Sequence, residues 1–157
     1  MIVLARIDDR LIHGQVVVGW VNAVKANHIA VVHDGVAADE MQKGFMRLAV
    51  PPQLKVSFFT VAEAVEKLKG NGLSKDRLLL LFTNPDDAVE LVKNGIHLKE
   101  LNIGGMRFSR GKREVMKSVF LNEQDVQSFR SLSALGVTLV GKMVPTDTSV
   151  DVMRMFG

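Results

Sequence analysis

The residues of this chain best suited to chemistry crowd into one stretch, Arg6-Ile7-Asp8-Asp9-Arg10-Leu11-Ile12-His13-Gly14-Gln15-Val16. It holds two adjacent carboxylates, a guanidinium at Arg10 and an imidazole at His13. A neutral imidazole attacks phosphorus well, and much of a free imidazole is unprotonated near neutral pH without special activation. Covalent capture of a phosphoryl group on such a ring splits one difficult transfer into two easier ones. The planar fork of Arg10 can spread the charge of the moving group. Phosphoryl transfer asks for little beyond positioning and charge. His13 is therefore the candidate nucleophile and Arg10 the candidate phosphoryl-stabilising residue. Asp8 and Asp9 could orient His13 or hold Arg10; they could equally satisfy loop amides or cap a helix. Gly14 and Gln15 stand with them as supporting residues where the next helix opens. Read by itself, His13 also suits a capping or packing role. Two adjacent carboxylates with no third ligand at useful spacing do not make a metal site. No dinucleotide fingerprint or Walker loop occurs. Neither metal nor cofactor is expected.

The elements around this stretch must hold it in place. Ile2-Val3-Leu4-Ala5 reads as a first strand, and Gln15 to Lys25 carries Val17, Trp20, Val21 and Val24 at helical spacing. The candidate residues then sit at the carboxyl end of a strand, where open α/β sheets gather ligands. A helix opening just after His13 offers free backbone N–H groups and partial positive charge. Ile29 to Val32 is a second strand. Asp39 to Ala49 is a helix with Met41, Phe45 and Leu48 on one face, stopped by Pro51-Pro52. Val56 to Phe59 is a strand, and Thr60 caps a helix ended by Gly70-Asn71-Gly72. Leu78 to Phe82, apolar at every position, suits a central parallel strand covered on both faces. Asn84-Pro85-Asp86-Asp87 opens a helix closed by Gly95. Leu101 to Ile103 is a short strand broken by Gly104-Gly105, and Glu114 to Leu121 is another strand. Asn122 starts a helix that Gly136 ends. Val137 to Val144 is the last strand, and Pro145 to Phe156 a last short helix. The alternation predicts an α/β fold over residues 1–157: a single-domain, open, mostly parallel twisted sheet with helices on both faces. The helix-free segment from Leu101 to Leu121 adds an antiparallel edge hairpin.

Composition narrows the class. The 157 residues are 47% hydrophobic and 24% charged, a globular balance with room for a core. The longest apolar run is too short to span a membrane, and the N-terminus lacks a signal-peptide pattern. With no cysteine, disulfides and thiolate metal sites are excluded. A cytoplasmic protein is expected. The net charge of +3 is mild and forms no nucleic-acid stripe with aromatic context. His33-Asp34-Gly35 follows the second strand and reads as an exposed turn that could line the same pocket. His28 and His97 read as surface residues, and Trp20 and the methionines as core. Arg107, Arg110, Lys112 and Arg113 read as a solvated hairpin tip or a dock for an acidic partner.

With these residues in view, the chain resembles the enzyme IIB components of the mannose–sorbose family of the bacterial phosphoenolpyruvate–sugar phosphotransferase system. The stretch Arg6 to Val16 matches the family's phosphorylation loop. Ala49-Val50-Pro51-Pro52, Leu81-Phe82-Thr83-Asn84-Pro85, Leu101-Asn102-Ile103-Gly104-Gly105-Met106 and Val144-Pro145-Thr146-Asp147 match further blocks. The resemblance implies a transient phosphohistidine on Nδ1 of His13, with Arg10 helping to hold the phosphoryl group. It implies an open sheet with helices on both sides. It implies a IIA phosphodonor, membrane IIC and IID partners, and a hexose or amino sugar as final acceptor, with the protein at the periphery of the membrane complex. His33 and Gly35 depart from the family's usual acidic turn. A carrier that accepts and donates must leave His13 reachable, so an exposed, shallow site is expected. The competing reading is a non-catalytic phosphate- or nucleotide-binding α/β module; a third is a regulatory protein using the same surface.

Overall fold

The computed structural model describes residues 1–156. Strand β1 (Ile2–Asp8) leads through a loop to a π-helical segment, Val16–Val21, continued by a turn of α-helix, α1 (Asn22–Val24). There follow β2 (His28–Val32), α2 (Asp34–Ala37), α3 (Glu40–Leu48), β3 (Lys55–Phe59), α4 (Val61–Lys69), β4 (Leu78–Phe82), α5 (Pro85–Lys93) and β5 (Glu100–Gly105). A hairpin of β6 (Arg113–Met116) and β7 (Val119–Leu121) precedes α6 (Glu123–Ala134), β8 (Thr138–Gly141), β9 (Val150–Asp151) and a 3₁₀ turn, Val152–Arg154. The main sheet has seven strands in the order β3-β2-β4-β1-β5-β8-β9. All pairs are parallel except β8 with β9.

Each face of the sheet carries its own core, and strand periodicity assigns residues between them. On β4, Leu78, Leu80 and Phe82 join α4, α5 and α6, while Leu79 and Leu81 join the π-helical segment and α3. Every residue of β4 is buried, as a central strand with two covered faces requires. On β1, Ala5 and Ile7 enter the first core, and Leu4 packs against the second. Arg6 and Asp8 point the same way as Leu4, yet both are wholly buried.

The chain leaves β1 leftward over one face toward β2. It leaves β5, the neighbour of β1, toward β8 by way of α6 on the other face. The carboxyl ends of β1 and β5 therefore flank the crevice where the winding changes direction, the usual ligand position in such sheets.

Several sequence expectations needed correction. β1 runs to Asp8, so Arg6 and Asp8 belong to the strand and not the loop. Gly104 and Gly105 do not break β5; they are its last two residues. A β-carbon at Gly104 would overlap the Arg6 guanidinium, and one at Gly105 would lie 3.1 Å from Asp8 Oδ1. The antiparallel hairpin is present, but Glu114 to Leu121 is two strands, not one, turned at Lys117-Ser118 with Ser118 at φ 65°. It forms a separate ribbon, joined to the end of β5 through a Met106–Val119 bridge. The segment expected as a terminal helix is a loop, β9 and the 3₁₀ turn. The face of α3 carrying Met41, Phe45 and Leu48 lies in solvent, while Met46 enters the core. His28 is not a surface residue: it is buried, with Nδ1 2.8 Å from Asp76 and Nε2 2.7 Å from the Ser57 hydroxyl.

Candidate functional site

A tight turn carries the chain out of β1. The Leu11 amide donates to the Asp8 carbonyl at 2.8 Å, and Leu11 takes a left-handed φ of 59°. Such a backbone costs a leucine about 1–2 kcal/mol, and burial of Leu11 and Ile12 in the second core offsets it. These two anchors lift His13 to the rim. The Val17 amide donates to the His13 carbonyl at 3.0 Å, so helical bonding begins there. The amides of Gly14, Gln15 and Val16 precede that bond and stand outside the ladder.

Asp8 is the hub. Its Oδ1 accepts from the Arg10 amide at 3.2 Å and from Arg10 Nε at 3.1 Å; its Oδ2 accepts from Arg10 Nη2 at 3.0 Å. Oδ2 also accepts from His13 Nε2 at 3.1 Å and from Arg6 Nη2 at 3.3 Å. Burial works to raise the pKa of Asp8. The hydrogen bonds from Arg10 and His13 and the charge of Arg6 outweigh it and hold the carboxyl below its ordinary value. An ionised carboxylate only accepts, so His13 presents Nε2–H to it. The lone pair of neutral His13 is then on Nδ1, which has no hydrogen-bond partner among the described residues. The His13 side chain is 20% exposed, so the ring is seated at its Nε2 edge without being sealed.

Arg10 lies over the loop with 44% of its side chain exposed. Its Nη2 also donates to Gln15 Oε1 at 3.3 Å. Its pKa is raised, chiefly by the hydrogen bond to Asp8. Gly14 is open, with nothing among the described residues near the position of a β-carbon. Of the two carboxylates, Asp8 engages both His13 and Arg10, whereas Asp9 turns to the other side. Asp9 Oδ2 accepts from the Arg107 amide at 2.7 Å and from Arg107 Nε at 3.4 Å, tying the loop after β5 to the loop after β1. Arg107 is therefore anchored at its backbone, while 72% of its side chain stays exposed, as a solvated basic run would be. Lys112 reaches Asp125 at 3.4 Å, and Arg110 is exposed. A groove of about 270 Å³ runs beside Arg10, lined in part by Asp9, Arg107, Phe108 and Phe120.

His33 does not join the cluster; its Nδ1 accepts from the Val36 amide at 3.1 Å and caps α2. Among the described residues, no group of three or more His, Cys, Asp or Glu side chains converges as a metal site. Among them, too, no helix is long and apolar enough to cross a membrane.

The sequence reading passed over Arg6 and its surroundings. The guanidinium donates to Asn102 Oδ1, to the Lys142 carbonyl at 2.8 Å and to the Met143 carbonyl at 3.0 Å. It lies 4.9 Å from the centre of the Trp20 ring, whose Nε1 donates to the same Met143 carbonyl at 3.1 Å. The available signal was a charge inside an apolar strand, which must find partners once buried.

The sequence and the fold both have relatives among known proteins. Residues 2–157 match the family described as PTS system sorbose subfamily IIB component. The chain is 42% identical over 153 residues to the sorbose-specific EIIB component of Lacticaseibacillus casei, covering 98% of this chain and 93% of that one. It is 39% identical over 152 residues to the mannose-specific EIIAB component of Escherichia coli (strain K12), covering 97% of this chain and 47% of that one. The crystal structure of the IIBSor domain of the sorbose permease from Klebsiella pneumoniae superimposes with a TM-score of 0.95 at 40% identity, over 99% of this chain and 95% of that one.

Proposed function

Because the chain belongs to the sorbose subfamily of phosphotransferase-system IIB components, we propose that it is a phosphotransferase carrying the phosphoryl group on Nδ1 of His13. The donor is a phosphohistidine of a IIA component, and the acceptor a sugar brought in by membrane IIC and IID components. The observation that carries this reading is the 3.1 Å contact from His13 Nε2 to Asp8. It leaves Nδ1 as the nucleophilic edge of a ring that partners can reach.

In the first transfer, the Nδ1 lone pair forms a P–N bond as the donor's P–N bond breaks, its electron pair returning to the donor nitrogen. The phosphorylated ring still bears its Nε2 proton and is positively charged. Asp8 faces that proton and stabilises the cation. A cationic ring is also the better leaving group, so the same contact prepares the second transfer. There the P–N electrons return to Nδ1 and leave the ring neutral with its Nε2 proton, while a sugar hydroxyl oxygen bonds phosphorus and releases its proton to solvent. Arg10, held at Nε and Nη2, keeps Nη1 available to the phosphoryl oxygens. Preorganised charge of this kind acts where charge moves in the transition state.

The relatives' names carry sorbose in one case and mannose in another at similar identity. We therefore place sugar choice in the membrane components, with this chain working at their cytoplasmic edge. The test is incubation with labelled phosphoenolpyruvate, the general components and IIA. An acid-labile, base-stable phosphoprotein is expected, and His13→Ala abolishes it. A non-covalent phosphate- or nucleotide-binding module would take no label.

A further inference from the structure

We infer that Arg6 is a positioning residue for His13: from beneath the loop its guanidinium fixes the Asp8 carboxylate, and through Asp8 the tautomer and orientation of the imidazole. The inference rests on the phosphocarrier reading for its kinetic consequence, but its structural half is independent of any transfer.

The case begins with the cost of the arrangement. A wholly buried guanidinium in a sheet is expensive, and apolar residues of similar volume often serve stability better. Here the surroundings are shaped around it. Asn102, opposite Arg6 in the register of β5, accepts from Nη1, and the Lys142 and Met143 carbonyls converge on the same fork. Gly104 leaves the space the guanidinium fills. Trp20 covers it. Nε has no acceptor among the described residues, so the fit is directed through the Nη atoms. One of those, Nη2, donates to Asp8 Oδ2, the same oxygen that accepts from His13. Arg10 holds Asp8 too, but from the exposed side, and it must respond to each incoming phosphoryl group. Arg6 is wholly buried and held by four acceptors, Asn102, Asp8 and the Lys142 and Met143 carbonyls. It is the fixed support that keeps Oδ2 aimed at Nε2 while Arg10 shifts its attention.

Charge gives it a second effect. A phosphoryl group brings negative charge close to Asp8, and like charges within a few ångströms repel. The Arg6 charge offsets Asp8 from the side away from the phosphoryl group. Asp8 can then bind the Nε2 proton without repelling the phosphoryl group strongly.

The test uses the unphosphorylated protein first. Imidazole ¹⁵N shifts of neutral His13 report the tautomer directly. In the wild type, the Nε2–H form is expected alone. Arg6→Met, in a protein whose circular dichroism shows it folded, is expected to give a tautomer mixture and transfer from IIA slowed about 100-fold, the usual scale for a misplaced catalytic group. Arg6→Lys restores part of both. A folded Arg6→Met protein with the wild-type imidazole signature and wild-type transfer overturns the inference and makes Arg6 a core prop. Should Arg6→Met not fold, Asn102→Leu replaces it. That variant strips one partner from the guanidinium and keeps its charge; an unchanged signature and rate there overturn the inference equally. If the wild type itself takes no label while the ¹⁵N shifts behave as expected, the carrier reading has failed and the positioning contact has not.

Discussion

The guanidinium of Arg6 fills the space that a side chain at residue 104 would occupy. No larger residue fits there without displacing the group that supports Asp8. Gly104→Ala is therefore expected to lower stability by about 1–3 kcal/mol, the usual range for overpacking a buried site. Gly14→Ala, where the space is open, should change stability by no more than about 0.5 kcal/mol. Urea denaturation of both variants checks this; equal losses would mean that Gly104 is only a strand glycine.

Arg10 and Asp8 are bonded to each other but should fail differently. Arg10 is partly exposed, so Arg10→Ala should cost about 1 kcal/mol of stability or less. The same change should slow phosphoryl transfer about 10²–10³-fold, as loss of a preorganised charge does. Asp8→Asn leaves the buried Arg6 charge uncompensated and should cost about 3–5 kcal/mol as well as transfer. Rates of labelling set against denaturation midpoints separate the two. An Arg10→Ala protein that transfers at the wild-type rate would remove Arg10 from the reaction.

Acid should weaken the fold through Asp8 and Asp76. Asp8 is held below its ordinary pKa by Arg10, His13 and Arg6 against burial; Asp76 is lowered by hydrogen bonds from His28 and then Lys55. A carboxyl depressed in the folded state stabilises above its unfolded pKa, about 3.9 for aspartate. That stabilisation is lost as pH falls through the lower folded value. Asp87 acts in the opposite sense, since burial raises its pKa and it favours the fold more once protonated. Unfolding measured from pH 6 downward should show stability falling below about pH 4, and Asp76→Asn should flatten the fall. An unchanged slope would mean that Asp76 keeps its contacts when protonated.

His28 lies at the other end of the strands from the loop that carries His13. His28→Ala breaks the contacts to Asp76 and Ser57 and is expected to lower the melting temperature. Labelling of the folded variant should persist. Loss of labelling without loss of fold would tie this network to the site.

Local signals made much of this legible in advance. The all-apolar run Leu78 to Phe82 is the buried central strand. Thr60, Asn84 and Asn122 each cap the helix they precede, and each does so through its own side chain. The loop between Asp8 and His13 was visible because its residues are close in sequence. What local reading missed depends on distant partners. Gly104 weakens a strand locally, yet Arg6, almost a hundred residues earlier, needs the space it leaves. His28 looks solitary until Ser57 and Asp76 arrive from other elements. The periodicity of α3 groups Met41, Phe45 and Leu48 on one face, but periodicity does not say whether anything covers that face, and among the described residues nothing does.

The chain contains four histidines: His13, His28, His33 and His97. Among the described residues, only His13 presents an unbonded Nδ1 beside an arginine with a free Nη1. The most direct measurement is mass-spectrometric mapping of the protein after phosphorylation by its IIA donor, under conditions that preserve phosphohistidine. A single added phosphoryl group on His13 is the expected result. Modification at His28, His33 or His97 with His13 untouched would contradict it.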